Sequence, residues 1–192
     1  NQSNIGVYVN GEYLEVTVDG ANYTAVKPMV TITFDGGEYA TSPDAVEVNK
    51  NIVITLPTLT SEQYTFKGWS VNGEVVEQNY VPTESVTLVA VWKAKVVITI
   101  EGALEGDATT LYLGEGDVIG DYLPEYGIEV EAGKIFRGWY LDDTFETELP
   151  EEAVLGEADV AVTIYAKWDQ LPAYYGTFYG TELWNASYGN NG

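Results

Sequence analysis

The chain has 192 residues, 30 acids against 8 bases for a net charge of −22, and neither cysteine nor histidine. Without cysteine there are no disulfide staples or thiolate metal sites, and without histidine the commonest general base and metal ligand is missing. So few bases exclude a phosphate-binding surface, so nucleic acid is not an expected partner, and no apolar run reaches the length of a membrane span.

Residues 1–29 read as extended. Val7 and Val9 precede Asn10-Gly11, Tyr13, Val16 and Val18 follow it, and Asp19-Gly20 supplies a second turn signal. Asn-Gly between alternating apolar residues is the strongest short hairpin signal, so a β-hairpin of two strands is expected here. Gly6-Val7-Tyr8-Val9-Asn10-Gly11-Glu12 also echoes Gly68-Trp69-Ser70-Val71-Asn72-Gly73-Glu74. That echo admits a second reading, the end of a preceding module whose tryptophans have been lost.

After Pro28 the chain repeats itself. Val30-Thr31-Ile32-Thr33-Phe34 and Val96-Val97-Ile98-Thr99-Ile100 open the two copies as alternating strands, which bounds the modules at 30–94 and 95–169. In each a middle segment follows: Ile52 to Leu56-Pro57 in the first and Val118 to Leu123-Pro124 in the second, both expected to be extended. Phe66-Lys67-Gly68-Trp69 then returns as Phe136-Arg137-Gly138-Trp139. This suits a strand with two rings for a core and a glycine where no side chain fits. Turn residues come next, Asn72-Gly73 in one copy and Asp142-Asp143 in the other. The closing strands carry Trp92 and Trp168. Phe66, Trp69, Trp92, Phe136, Trp139 and Trp168 are therefore the expected structural core, since rings at equivalent positions beside alternating strand residues pack inward.

The copies diverge in their loops. The two tryptophans lie 23 residues apart in the first and 29 in the second, and the added length around Pro150-Glu151-Glu152-Ala153-Val154-Leu155 is expected to form one helical turn. Only Lys93-Ala94-Lys95 links the copies, which predicts modules set end to end as an elongated rod. The second copy is the more acidic, with 18 acids against 4 bases over residues 95–169 compared with 8 against 3 over residues 30–94.

Residues 170–192 leave the pattern as an aromatic, glycine-rich tail, read as the start of a further domain, as a strand packed on the second copy, or as a binding platform. In the last case Tyr175, Phe178, Tyr179 and Trp184 are the ligand-binding candidates. No pair of carboxylates has a spacing that suggests catalysis. Glu115, Asp117 and Asp121 lack the regular pattern of a calcium loop. No catalytic, cofactor or metal residue is assigned.

The opening Val-Thr strand ending Phe34-Asp35, Leu56-Pro57, Tyr64-Thr65-Phe66-Lys67-Gly68-Trp69, Pro82-Thr83 and Leu88 to Trp92 together resemble the internalin-type B repeat, or Listeria–Bacteroides repeat, of bacterial surface proteins. The second copy resembles it more loosely, with Lys134-Ile135 in place of Tyr-Thr and Ile100-Glu101 in place of Phe-Asp. The resemblance implies mainly β, β-grasp-like modules with little helix, in tandem on the outside of bacteria, as a non-enzymatic spacer or adhesive segment. The alternatives are a module that binds glycan or a host surface protein, and an accessory region of a larger secreted hydrolase.

Overall fold

The computed structural model describes residues 3–129 and 131–172, and the chain divides into two compact units, Asn1–Ala94 and Lys95–Gly192. Among the described residues strands dominate and no α-helix forms.

The first unit begins with β1 (Ser3–Val9), β2 (Glu12–Asp19) and β3 (Asn22–Val26), an antiparallel meander in which β2 is central. Both turn signals are used, so the segment has three strands where a two-stranded hairpin is the sequence expectation. Asn10 and Gly11 take φ of 50° and 81°, the left-handed values a tight hairpin turn needs. Register places Ile5 opposite Val16 and Ala25, Val7 opposite Leu14, and Val18 opposite Tyr23. Residues directly opposite share a face, so one face of this sheet is apolar almost throughout. On the other face Tyr13 lies across Gly6 and its ring sits 5.2 Å from that of Tyr8.

The remainder of the first unit is a five-stranded sheet of β4 (Met29–Asp35), β5 (Val46–Asn49), β7 (Tyr64–Val71), β8 (Glu74–Val75) and β10 (Val86–Ala94), in the order β5-β4-β10-β7-β8. The opening strand β4 and closing strand β10 run parallel at its centre, Val86 to Val89 opposite Ile32 to Asp35, while β10 and β7 are antiparallel. Parallel neighbours demand a long crossover, and here loops make it. Their only ladder is the short pair β6 (Ile54–Thr55) and β9 (Asn79–Tyr80). These loops cover one face only, and the alternation along β4 records it: Val30, Ile32 and Phe34 are buried while Thr31, Thr33 and Asp35 are exposed. Leu56, Trp69 and Leu88 complete the buried cluster.

Asn49 joins the two sheets of this unit. Its Oδ1 accepts the Tyr13 N–H at 2.7 Å, and its Nδ2 donates to the Tyr13 and Pro28 carbonyls at 3.0 and 2.9 Å. The carboxamide thus satisfies both backbone groups of Tyr13, as a neighbouring strand would. Beside it Lys50 pairs with Glu15 at 2.9 Å.

The second unit contains β11 (Val96–Glu101), β12 (Thr110–Leu113), β13 (Ile128–Glu129), β14 (Lys134–Tyr140) and β15 (Ala161–Gln170), ordered β12-β11-β15-β14-β13. Again the opening and closing strands, β11 and β15, are the central parallel pair. Val96, Ile98, Ile100, Leu113, Ile119, Leu123, Leu155 and Ile164 form its buried cluster. Two loop expectations are corrected. Ile119–Tyr122 is a 3-10 turn, not a strand, and Pro150 to Leu155 is not helical. Ala153 closes one turn on the Pro150 carbonyl, after which Val154 bridges Val118 in extended backbone. The pairing of two loop segments outweighs the helix-start signal, because it seats Ile119 and Leu155 over the sheet.

Candidate functional site

The repeated Phe-basic-Gly-Trp segment forms the same device in both sheets. Trp92 lies opposite Phe66 and Val91 opposite Gly68, which leaves Lys67 as an extra residue; Trp168 opposes Phe136 and Lys167 opposes Gly138, which leaves Arg137 extra. Each is a β-bulge. Residues three apart on a regular strand point to opposite faces, so the added residue turns Phe66 onto the face of Trp69, their rings 5.4 Å apart, and Phe136 onto that of Trp139 at 5.2 Å. The glycine serves this kink. Gly68 and Gly138 have φ of 125° and 131°, values that L residues rarely adopt. Space is not what requires glycine: a Cβ on Gly68 would come no nearer than 3.4 Å to the Val75 side chain, and one on Gly138 3.5 Å to Glu148.

Of the six ring residues, Trp69 is 1% exposed and belongs to the buried cluster, and its indole donates to the Pro57 carbonyl at 2.6 Å. Phe66 and Trp139 are half-buried and pack against the clusters, while Trp92, Phe136 and Trp168 are half-buried beyond them. Trp69 shares the centre of the first core with Ile32 and Leu88, while the centre of the second is aliphatic, with Ile98 and Ile164 fully buried. The polar edges of the closing tryptophans are used: the Trp92 indole donates to the Gly36 carbonyl at 3.0 Å and that of Trp168 to the Gly102 carbonyl at 2.8 Å, both just past the opening strand.

Each aromatic cluster recruits a tyrosine that the repeat pattern does not mark. In the first unit Tyr39 stacks on Tyr64 with centroids 3.7 Å apart and meets Trp92 edge-on. In the second, Tyr126 lies 5.1 to 5.5 Å from Phe136, Trp139 and Trp168. Its hydroxyl donates to Asp107 at 2.7 Å and accepts the Leu104 N–H at 3.2 Å, and burial pushes its pKa up. Both tyrosines come from loops that differ between the copies, so no recurrence points to them.

The acidic pair Asp142-Asp143 builds a loop. Asp142 accepts the hydroxyl of Thr144 and the amides of Thr144, Glu146 and Thr147, which holds its carboxyl well below the usual carboxylate range, chiefly through the Thr144 hydroxyl and the Glu146 amide. The loop fixes Phe145 at φ 58°, with the Lys167 ammonium over its ring and that of Tyr140. Asp117 likewise accepts the Gly114 amide at 2.7 Å, closing its own turn.

The described surface includes two open depressions. One of about 560 Å³ is lined by Ile128, Ile135 and Leu171, with Arg137 and Asp169 paired to each other at 2.7 Å in its wall. The other, about 410 Å³, lies between Phe34, Val48, Ile54 and Pro57. Asp44 and Thr55 also line the second, but the Thr55 hydroxyl donates to Asn79 instead of to a carboxylate, and among the described residues no three acids gather as a metal site. Tyr175, Phe178, Tyr179 and Trp184 lie outside the described residues.

Among families of known proteins, residues 31–91 match the Listeria-Bacteroides repeat domain. The match runs from within β4 to within β10, takes in Phe66-Lys67-Gly68-Trp69 and ends one residue before Trp92. No curated protein matches the chain.

Proposed function

We propose that residues 30–94 and 95–169 are two tandem modules of one internalin-type B repeat, and that the chain is a non-enzymatic stalk segment of a bacterial surface or secreted protein, spacing or presenting an adhesive region. The observation that carries this reading is that the second sheet, beyond the matched residues, repeats the first feature by feature. It shares the central parallel pair, the bulge with its positive-φ glycine, and the closing tryptophan bonded to a glycine carbonyl past the opening strand. The order of the four shared strands, with opening and closing strands parallel at the centre, supports a β-grasp-like description in which loops stand in for the helix.

An elongated arrangement belongs to the same reading. Lys95 alone separates β10 from β11, and a net charge of −22 opposes collapse. Small-angle scattering tests it: a spacer gives a radius of gyration well above the roughly 16 Å of one compact globule of this length, and a value near 16 Å would remove the stalk role.

A further inference from the structure

The meander β1-β2-β3 has a layer of apolar side chains that no described residue of its own unit buries. Ile5, Val7, Leu14, Val16, Val18 and Tyr23 share one face by register, yet from Asn4 to Val26 no residue is buried and none belongs to either hydrophobic cluster. Ile5 is 51% exposed and Tyr23 73%. The sheet is held to its own unit through the Asn49 carboxamide and the Lys50–Glu15 pair, both polar contacts at its edge. A small sheet needs its apolar face covered to be stable in water.

We propose that this face is a self-association surface, and that its occupant is the same face of a second copy of this chain, packed as a two-layer β-sandwich. Charge selects the occupant. Two copies at −22 each repel over most of their surface, but this face carries a single charged side chain, Glu12, and Lys27 is paired with it. Residues 1–29 hold three acids and one base against 18 and 4 in residues 95–169, so like copies approach here with less repulsion than through the second unit. Size fits as well. Three strands about 4.8 Å apart, the longest of 8 residues rising about 3.3 Å each, give a footprint of roughly 350 Å². With side-chain relief, two such faces remove on the order of 1,000 Å² from water, the lower bound for a specific interface. A two-fold pairing closes on itself, so a dimer and not a filament results.

Sedimentation of the intact chain from about 1 to about 300 µM, with two variants, tests this. The mass should rise from 21.0 kDa towards twice that value. Association should tighten between about 0.02 and about 0.5 M salt as repulsion is screened. Tyr23→Asp, an exposed position on the apolar face, should weaken association at least about tenfold, and Tyr8→Asp, on the opposite face, should leave it within about twofold, with circular dichroism unchanged in both. A chain that stays monomeric throughout, an association that weakens with salt, or equal effects of the two variants would overturn the proposal.

Discussion

Replacing Gly68 by alanine isolates the bulge from the packing around it. At φ 125° an alanine is held in a sparsely populated conformation, a cost of about 1–3 kcal/mol. Loss of glycine's freedom in the unfolded chain returns about 0.4–1 kcal/mol. The new methyl would sit 3.4 Å from Val75, which is 59% exposed and can turn aside, so sterics add little. The net expectation is a destabilisation of about 1–2 kcal/mol, or several degrees in Tm for a unit of this size. Urea and thermal unfolding followed by tryptophan fluorescence measure it, and Gly138→Ala should act alike in the second unit, where φ is 131°. The double variant with Val75→Ala decides the cause: backbone strain leaves the loss in place. If Val75→Ala restores stability, or if either alanine is neutral, the conformational account of the motif is wrong.

Trp69→Ala empties the one fully buried ring position and strips the Pro57 carbonyl of its donor. It should cost about 3–5 kcal/mol, and a loss under about 1 kcal/mol in equilibrium unfolding would contradict the buried placement. Asn49→Ala removes two hydrogen bonds to Tyr13 of the meander and one to Pro28 between β3 and β4, worth about 2–4 kcal/mol together. Hydrogen exchange should speed up across β1 to β3 with the β4–β10 core unchanged, and uniform protection in the variant would refute the latch. Asp142 has a depressed pKa in the folded chain. Its stabilising contribution is therefore complete above the unfolded value near pH 4 and is lost as pH falls through the folded one. A carbon-detected carboxyl titration should place its midpoint below the ordinary aspartate value near 4, and a midpoint at or above that value would disprove the loop geometry.

Much of the fold is local chemistry and was legible as such. Asn10-Gly11 and Asn72-Gly73 adopt the left-handed pairs their residue types favour, and Val30 to Phe34 alternates as a strand covered on one face must. What the sequence does not show is partnership at a distance. The extra residue of the bulge is visible only against Trp92 or Trp168 on the neighbouring strand, so the glycine reads as a matter of space when it is one of backbone angle. Ring size suggested that aromatics fill the core, and Trp69 does, but the other five rings are half-buried and the centres are completed by Ile32, Leu88, Ile98 and Ile164. Tyr39 and Tyr126 arrive from loops with no repeat to announce them. Pro150 carries a helix-start signal that the bridge between Val118 and Val154 overrides.

The central parallel pair bears on how each unit responds to tension. The chain enters through β4 at one end of the sheet and leaves through β10 at the other, and it does the same through β11 and β15. Pulling the ends apart therefore slides parallel strands along each other's length. Every rung from Ile32–Val86 to Asp35–Val89, and from Val97–Ala161 to Glu101–Tyr165, is strained at once instead of peeling in turn. The indoles of Trp92 and Trp168 clasp the carbonyls just past the last rung, Gly36 and Gly102. Shear of that kind resists rupture until many bonds fail together.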